Sequence, residues 1–234
     1  MSITVGCDAA VGGFCGLLES EIAGGRRRYL MLVLASASPR RQEILRNAGI
    51  SFVVQATDIA EIPKPGEPPE DCAQRLAQEK ALEVFRQRPD DLVLGADTIV
   101  IVDGEILGKP RDAEDAARML RLLSGRDHLV TTGVCLVGRQ LPAAGGQSPV
   151  ANSEVIDTRS ETTRVSMSVL SEQDVLSYVA TGEPIDKAGA YAIQGIASRW
   201  IHEIEGDYFN VVGLPVALVW RMLNRSQWPV AGKN

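Results

Sequence analysis

Residues 30–35, LMLVLA, are continuously apolar, the pattern of a strand buried on both faces as in a parallel sheet. Ser38 then predicts a helix N-cap, Pro39 its first turn and Gly49 its stop. Residues 51–55 read as a short strand, followed by a loop through Glu61, Pro63, Pro65, Pro68 and Pro69. Cys72, Leu76, Ala77, Ala81 and Val84 recur at helical spacing and predict a helix over 70–88. Lys80 falls on that stripe, where a lysine either snorkels to water or opens onto a cleft. Residues 92–97 predict a second buried strand ending in a carboxylate, Asp97. Residues 98–102 and 105–107 flank Asp103-Gly104, a strong hairpin signal. Asp112 caps a helix running to Ser124, with Gly125 beyond it.

Residues 129–137 and 162–170 read as paired strands around a long mobile loop, 138–160, that contains Pro142-Ala143-Ala144-Gly145-Gly146. Ser171 to Asp174 opens another helix, stopped at Gly182. A glycine-rich stretch over 182–197, a strand near 200–204 and a last helix from about Leu214-Pro215 complete the chain. No internal repeat is visible. Strand pairs interleaved with helices predict an α/β fold with a mixed sheet and not a simple doubly wound one.

Composition narrows the class. With 234 residues, 45% of them hydrophobic, the chain is long enough for one large α/β domain or two closely joined lobes. A net charge of −6, from 24 basic and 30 acidic residues, argues against a nucleic-acid polymer as partner. Cys7, Cys15, Cys72 and Cys135 form no C-x-x-C pair and no metal-like spacing with His128 or His202, so they read as reduced thiols in cytoplasm. No stretch approaches the length of a membrane span, so no membrane partner is expected. Residues 1–29 read as a flexible extension, because their Arg26-Arg27-Arg28 follows the apolar segment where a secretory signal has its charge first. A single domain is expected over 30–226 with a tail over 227–234.

The candidate chemistry begins at Ser36-Ala37-Ser38-Pro39-Arg40-Arg41, which sets two guanidiniums at a helix start where free amides already favour anions. The bland alternative is a capped surface helix with solvated arginines. Lys80 and Lys109 add cations, and Glu61 and Asp97 add carboxylates. Four cations match a triphosphate, and carboxylates with few histidines match Mg²⁺ or Mn²⁺. Glu61 taken alone also reads as a solvated loop acid, Asp97 as a turn cap and Lys109 as a surface lysine.

The chain resembles the Maf family of nucleotide pyrophosphatases, formerly described as septum-formation inhibitors. The resemblance rests on the hexapeptide above, Gln78-Glu79-Lys80-Ala81, Gly95-Ala96-Asp97-Thr98-Ile99-Val100, Gly108-Lys109-Pro110 and Ser124-Gly125 with His128. It continues through the block 182–195, GEPIDKAGAYAIQG, and the block 206–215, GDYFNVVGLP. It implies an inosine-triphosphatase-like (Maf/Ham1) fold with two lobes around a central cleft, and usually a homodimer. It further implies a cytoplasmic house-cleaning hydrolase that cuts a nucleoside triphosphate between its α and β phosphates. By position, Ser36, Arg40, Arg41, Lys80 and Lys109 would hold phosphates, and Glu61 and Asp97 the divalent metal or attacking water, with Asp97 as general base. Gly-Ala-Asp-Thr at 95–98 and Ile193-Gln194-Gly195 resemble the branch acting on dTTP and UTP, not the 7-methyl-GTP branch. Gln194 both donates and accepts, which suits the imide edge of uracil or thymine, so Arg41, Thr98 and Gln194 are the expected specificity residues. A division regulator with incidental catalysis is the alternative from another class.

Overall fold

The computed structural model describes residues 18–21, 27–139 and 153–225. Its main sheet has seven strands. Leu32–Leu34 (β3) lies parallel to both Val53–Val54 (β4) and Leu92–Val102 (β5). Beyond β5 the sheet is antiparallel, through Asp127–Arg139 (β7), Glu154–Met167 (β8) and Ile201–Glu205 (β9), with Glu105–Leu107 (β6) folded back on β5. The expected mixed sheet is present. Leu18–Glu21 (β1) and Arg27–Leu30 (β2) pair in a separate two-stranded sheet that spans part of the expected extension and takes in Leu30, so the strand expected over 30–35 is β3, Leu32–Leu34; residues 1–17 and 22–26 lie outside the described residues.

The cap chemistry reads through to structure. Pro39–Asn47 (α1) starts at Ser38, whose Oγ accepts from the Arg41 amide, and Gly49 follows with φ 69°. Ala113–Leu123 (α3) starts at Asp112, and Glu172–Ala180 (α4) carries a full capping box between Ser171 and Asp174. Asp103 and Gly104 both have positive φ, 51° and 82°, as a tight hairpin turn requires.

Three expectations are corrected. The strand over 92–97 does not end at Asp97; β5 runs on to Val102, because antiparallel pairing with β7 carries the ladder through Asp97↔Gly133. The loop over 138–160 is shorter, since β7 and β8 stay paired out to Arg139↔Glu154; residues 140–152 lie outside the described residues. Most of those added strand residues, Glu154 and residues 157–161, are polar, which hides a strand in the hydropathy pattern. Finally, Tyr208–Val212 (α5), capped by Asp207, precedes the expected last helix, Val216–Leu223 (α6).

Pro69–Gln87 (α2) is the element that positions the site. It lies directly on the backbone of β5 and β7 because Gly95 and Gly133 present no side chain there. A Cβ at Gly95 would come within 2.1 Å of the Ala77 carbonyl oxygen, and one at Gly133 within 2.2 Å of that of Ala73. This close approach buries Ala77, Ala81 and Val84 against Val93 and Cys135. On the other face of the sheet, α3 and α6 close a larger core around Leu94, Val130, Leu136 and Met222.

Candidate active site

Lys80 leaves α2 on its buried stripe, and β5 brings Asp97 to meet it. The ammonium donates to Asp97 Oδ1 at 2.5 Å and to Glu61 Oε1 at 2.6 Å. Lys80 and Asp97 are only 6% and 4% exposed, so Lys80 does not snorkel to water; its ammonium lies at a cleft, paired with two carboxylates. Lys109, just after β6, donates to Glu61 Oε2 at 2.7 Å. Glu61 is thus held by two lysines at once, and Asp97, Lys80, Glu61 and Lys109 form one hydrogen-bonded chain. Asp97 stands in mid-strand, yet its neighbour β3 has already ended at Leu34. The carboxylate therefore faces the opening beyond the carboxyl end of a parallel strand, where α/β sheets gather ligands.

The two carboxylates differ in charge state. Burial tends to raise Glu61, but the charge of Lys80 and the hydrogen bonds from Lys109 and Lys80 overcome it and hold its carboxyl at about 2. Burial wins at Asp97 and lifts its carboxyl above the usual range, against the pull of Lys80 and Arg41.

Arg41 faces inward along α1. Its Nε donates to the Gly213 carbonyl at 2.8 Å, Nη1 to Ser36 Oγ at 3.1 Å and Nη2 to Thr98 Oγ1 at 3.1 Å. Thr98 also meets Thr132 Oγ1 at 2.9 Å. One guanidinium so ties the first helix to β5 and to the turn before α6. Arg40 projects from the adjacent position and comes to 4.0 Å from Asp186. These groups line one cleft of about 560 Å³, and residues 186–194, Gln194 among them, supply part of its wall. Ser36, Arg40, Arg41, Glu61, Lys80, Asp97, Thr98, Lys109 and Gln194 all face it. Sequence spacing had left that convergence open.

Among the described residues, no group of three or more His, Cys, Asp or Glu side chains is placed to hold an ion by itself. The donors on offer, Glu61 and Asp97, are carboxylate oxygens only. That set fits Mg²⁺ or Mn²⁺ completed by water and phosphate oxygens, and does not fit zinc.

Residues 31–226 match the model of the Maf-like protein family. The chain belongs to the Maf family. A "dTTP/UTP pyrophosphatase" of Koribacter versatilis (strain Ellin345) is 52% identical over 195 residues, 83% of this chain and 94% of that one. Proteins of the same name from Symbiobacterium thermophilum and Thermococcus gammatolerans are 47% and 46% identical, over 85% and 82% of this chain and 95% of each relative. Among solved structures, the Staphylococcus aureus Ham1 protein is 14% identical with a TM-score of 0.37, over 58% of this chain and 71% of that one.

In this Maf protein the structure adds residues to which the sequence assigned no role. Asp186 and Lys187 line the cleft beside Arg40, and Tyr191 lines it from a buried position with its hydroxyl 2.7 Å from His128 Nε2. Their signal lay inside the glycine-rich block, but residues on successive turns carry no periodicity to mark which ones face inward. No helix among the described residues is long and apolar enough to cross a membrane.

Proposed function

We propose that this chain is a nucleoside triphosphate pyrophosphatase that hydrolyses dTTP and UTP to the monophosphate and pyrophosphate. The carrying observation is the Asp97–Lys80–Glu61–Lys109 chain, buried at Asp97 and Lys80 and exposed at Glu61 and Lys109, which opens onto a cleft rimmed by Arg40 and the start of α1. The names of relatives covering most of the chain supply the substrate class. Arg40, Lys80 and Lys109 take the phosphate charges, and Ser36 and the amides at the helix start add donors.

Asp97 acts as general base: it takes a proton from water as the water oxygen bonds to the α-phosphorus. The bond from that phosphorus to the bridging oxygen breaks, and pyrophosphate leaves with its new charge met by the lysines. A carboxyl raised by burial binds that proton more firmly than an ordinary one does. Glu61, fully ionised, keeps Lys80 and Lys109 in place. Glu61 and Asp97 are also the residues to hold Mg²⁺ or Mn²⁺, which when bound would neutralise and polarise the phosphate oxygens. Arg41, Thr98 and Gln194 select the base, with Arg41 acting largely through the groups it anchors. The working form in this reading is a cytoplasmic homodimer.

The test is pyrophosphate release from dTTP, UTP, CTP, GTP and 7-methyl-GTP, with and without Mg²⁺ or Mn²⁺. Release is expected from dTTP and UTP and only with a divalent ion. No release from any substrate overturns the proposal, and preference for 7-methyl-GTP reassigns the branch.

A further inference from the structure

Gln194 reaches the cleft from a four-residue turn, Ala192-Ile193-Gln194-Gly195, closed by the Gly195 amide on the Ala192 carbonyl at 3.0 Å. The two ends of this turn are tied together from outside. The Ala192 amide donates to Tyr178 Oη at 3.1 Å, and Tyr178 Oη donates to Glu183 Oε1 at 2.8 Å. The Ile196 amide donates to the same Oε1 at 3.1 Å. The sequence N–H, hydroxyl, carboxylate, N–H is therefore one continuous bridge spanning the turn that carries Gln194.

The bridge is built into the packing. Tyr178 is 1% exposed on α4, with its ring edge against Trp200 at 5.4 Å between centroids. The Glu183 carboxylate fills the space beside Gly195, where a Cβ would lie 2.1 Å from Oε1. Gly195 has φ −103°, so glycine is needed there for room and not for a left-handed backbone. Neither Tyr178 nor Glu183 lines the cleft.

We propose that Tyr178 and Glu183 are positioning residues for base selection: they fix the 192–195 turn so that the Gln194 amide meets the imide edge of uracil or thymine. The inference rests on the reading of Gln194 as the base-recognising side chain. A base edge is told from its neighbour by hydrogen-bond alignment. A turn free to tilt retains a glutamine but loses the preference that the glutamine confers. Phosphate contacts and the Asp97 chemistry lie on other elements and are untouched.

The test compares steady-state kinetics of the intact protein with UTP and CTP for Tyr178→Phe, Glu183→Gln and Gln194→Ala. Tyr178→Phe keeps the ring and removes both hydrogen bonds of the hydroxyl. It is expected to raise KM for UTP by about tenfold, the effect of one lost aligned contact. It is also expected to lower the UTP-to-CTP ratio of kcat/KM and to leave kcat within about twofold. In a Gln194→Ala background it should change the ratio little further, because both changes act on one contact. Equal losses for UTP and CTP, or a fall in kcat alone, would overturn the proposal in favour of a purely structural tie. Should Tyr178→Phe fail to fold, Glu183→Gln, which weakens the acceptor while keeping its shape, is read by the same criteria. A ratio unmoved by Gln194→Ala but lowered by Tyr178→Phe retains the positioning role and rejects Gln194 as its agent. The converse result rejects the positioning role and retains Gln194.

Discussion

The two walls of the cleft are made in different ways. The floor that carries the chemistry stands on a helix and a long strand, with Lys80 and Asp97 brought to 2.5 Å by a glycine-mediated approach of α2 to the sheet. The wall that carries Gln194 is a run of short turns, held by side-chain bonds from Tyr178 and Glu183. On the floor, the backbone ladders of α2 and β5 dictate where Lys80 and Asp97 sit. The Gln194 wall has no strand ladder, so polar side chains do that work, and a change there is expected to retune substrate choice without disturbing the reacting groups.

The contrast is sharpest where the floor is struck directly. Asp97→Asn and Glu61→Gln are each expected to cut kcat by at least about 10²-fold, as for loss of a base or of the group ordering the site. Near-normal pyrophosphate release at saturating dTTP would remove that residue from the reacting set. Gly95→Ala should break the floor through packing: the new Cβ meets the Ala77 carbonyl, and α2 must move. A loss of about 3 kcal/mol in denaturant unfolding is expected, together with reduced kcat, since Lys80 moves with the helix. Unchanged stability would show that α2 does not depend on this contact.

pH separates the two carboxylates of the floor. The base works only when deprotonated, so activity is lost as pH falls through the raised pKa of Asp97. The acid limb of kcat should lie above the value of about 4 for an ordinary aspartate. Glu61, held at about 2, is still ionised over that limb and contributes nothing to it. An acid limb at or below pH 4 would count against Asp97 as the base.

The smallest effect concerns the Gln194 wall. His128 supports Tyr191 from within the core, and burial holds its imidazole down to about 4. The unfolded chain binds that proton from about pH 6.5 downward, whereas the folded protein does so only near 4. Stability from this group is therefore complete above pH 6.5 and lost as pH falls towards 4. Chemical unfolding should weaken by about 1 to 2 kcal/mol from this source between pH 7 and pH 5. The dependence should be shallower in His128→Gln; an identical slope would show that His128 is not its origin.

Local signals in the chain were read well where one residue decides the geometry. Ser38 and Pro39 starting α1, Asp103-Gly104 turning the hairpin and the capping box of α4 follow from the chemistry of single side chains and their nearest amides. Lys80 on an apolar stripe and Asp97 at the end of an apolar run stood out in the sequence, because a charge beside buried positions needs a partner. The sequence could not name that partner. Lys80 and Asp97 are 17 residues apart and Arg41 and Gly213 are 172 apart, and only packing decides which distant groups meet.

What the sequence by itself determined is therefore most of the main elements, the helix starts and turns, the candidate charged residues and, through its long runs of matching residues, the Maf family. The tertiary structure alone decided that β5 continues through Asp97, that Glu61 sits between two lysines, and that Tyr178 and Glu183 brace the turn that carries Gln194. The physical reason is one of range. Caps and turns are settled within four residues of backbone, whereas strand pairing, burial and the ionisation of a carboxyl depend on neighbours that the chain reaches only when folded.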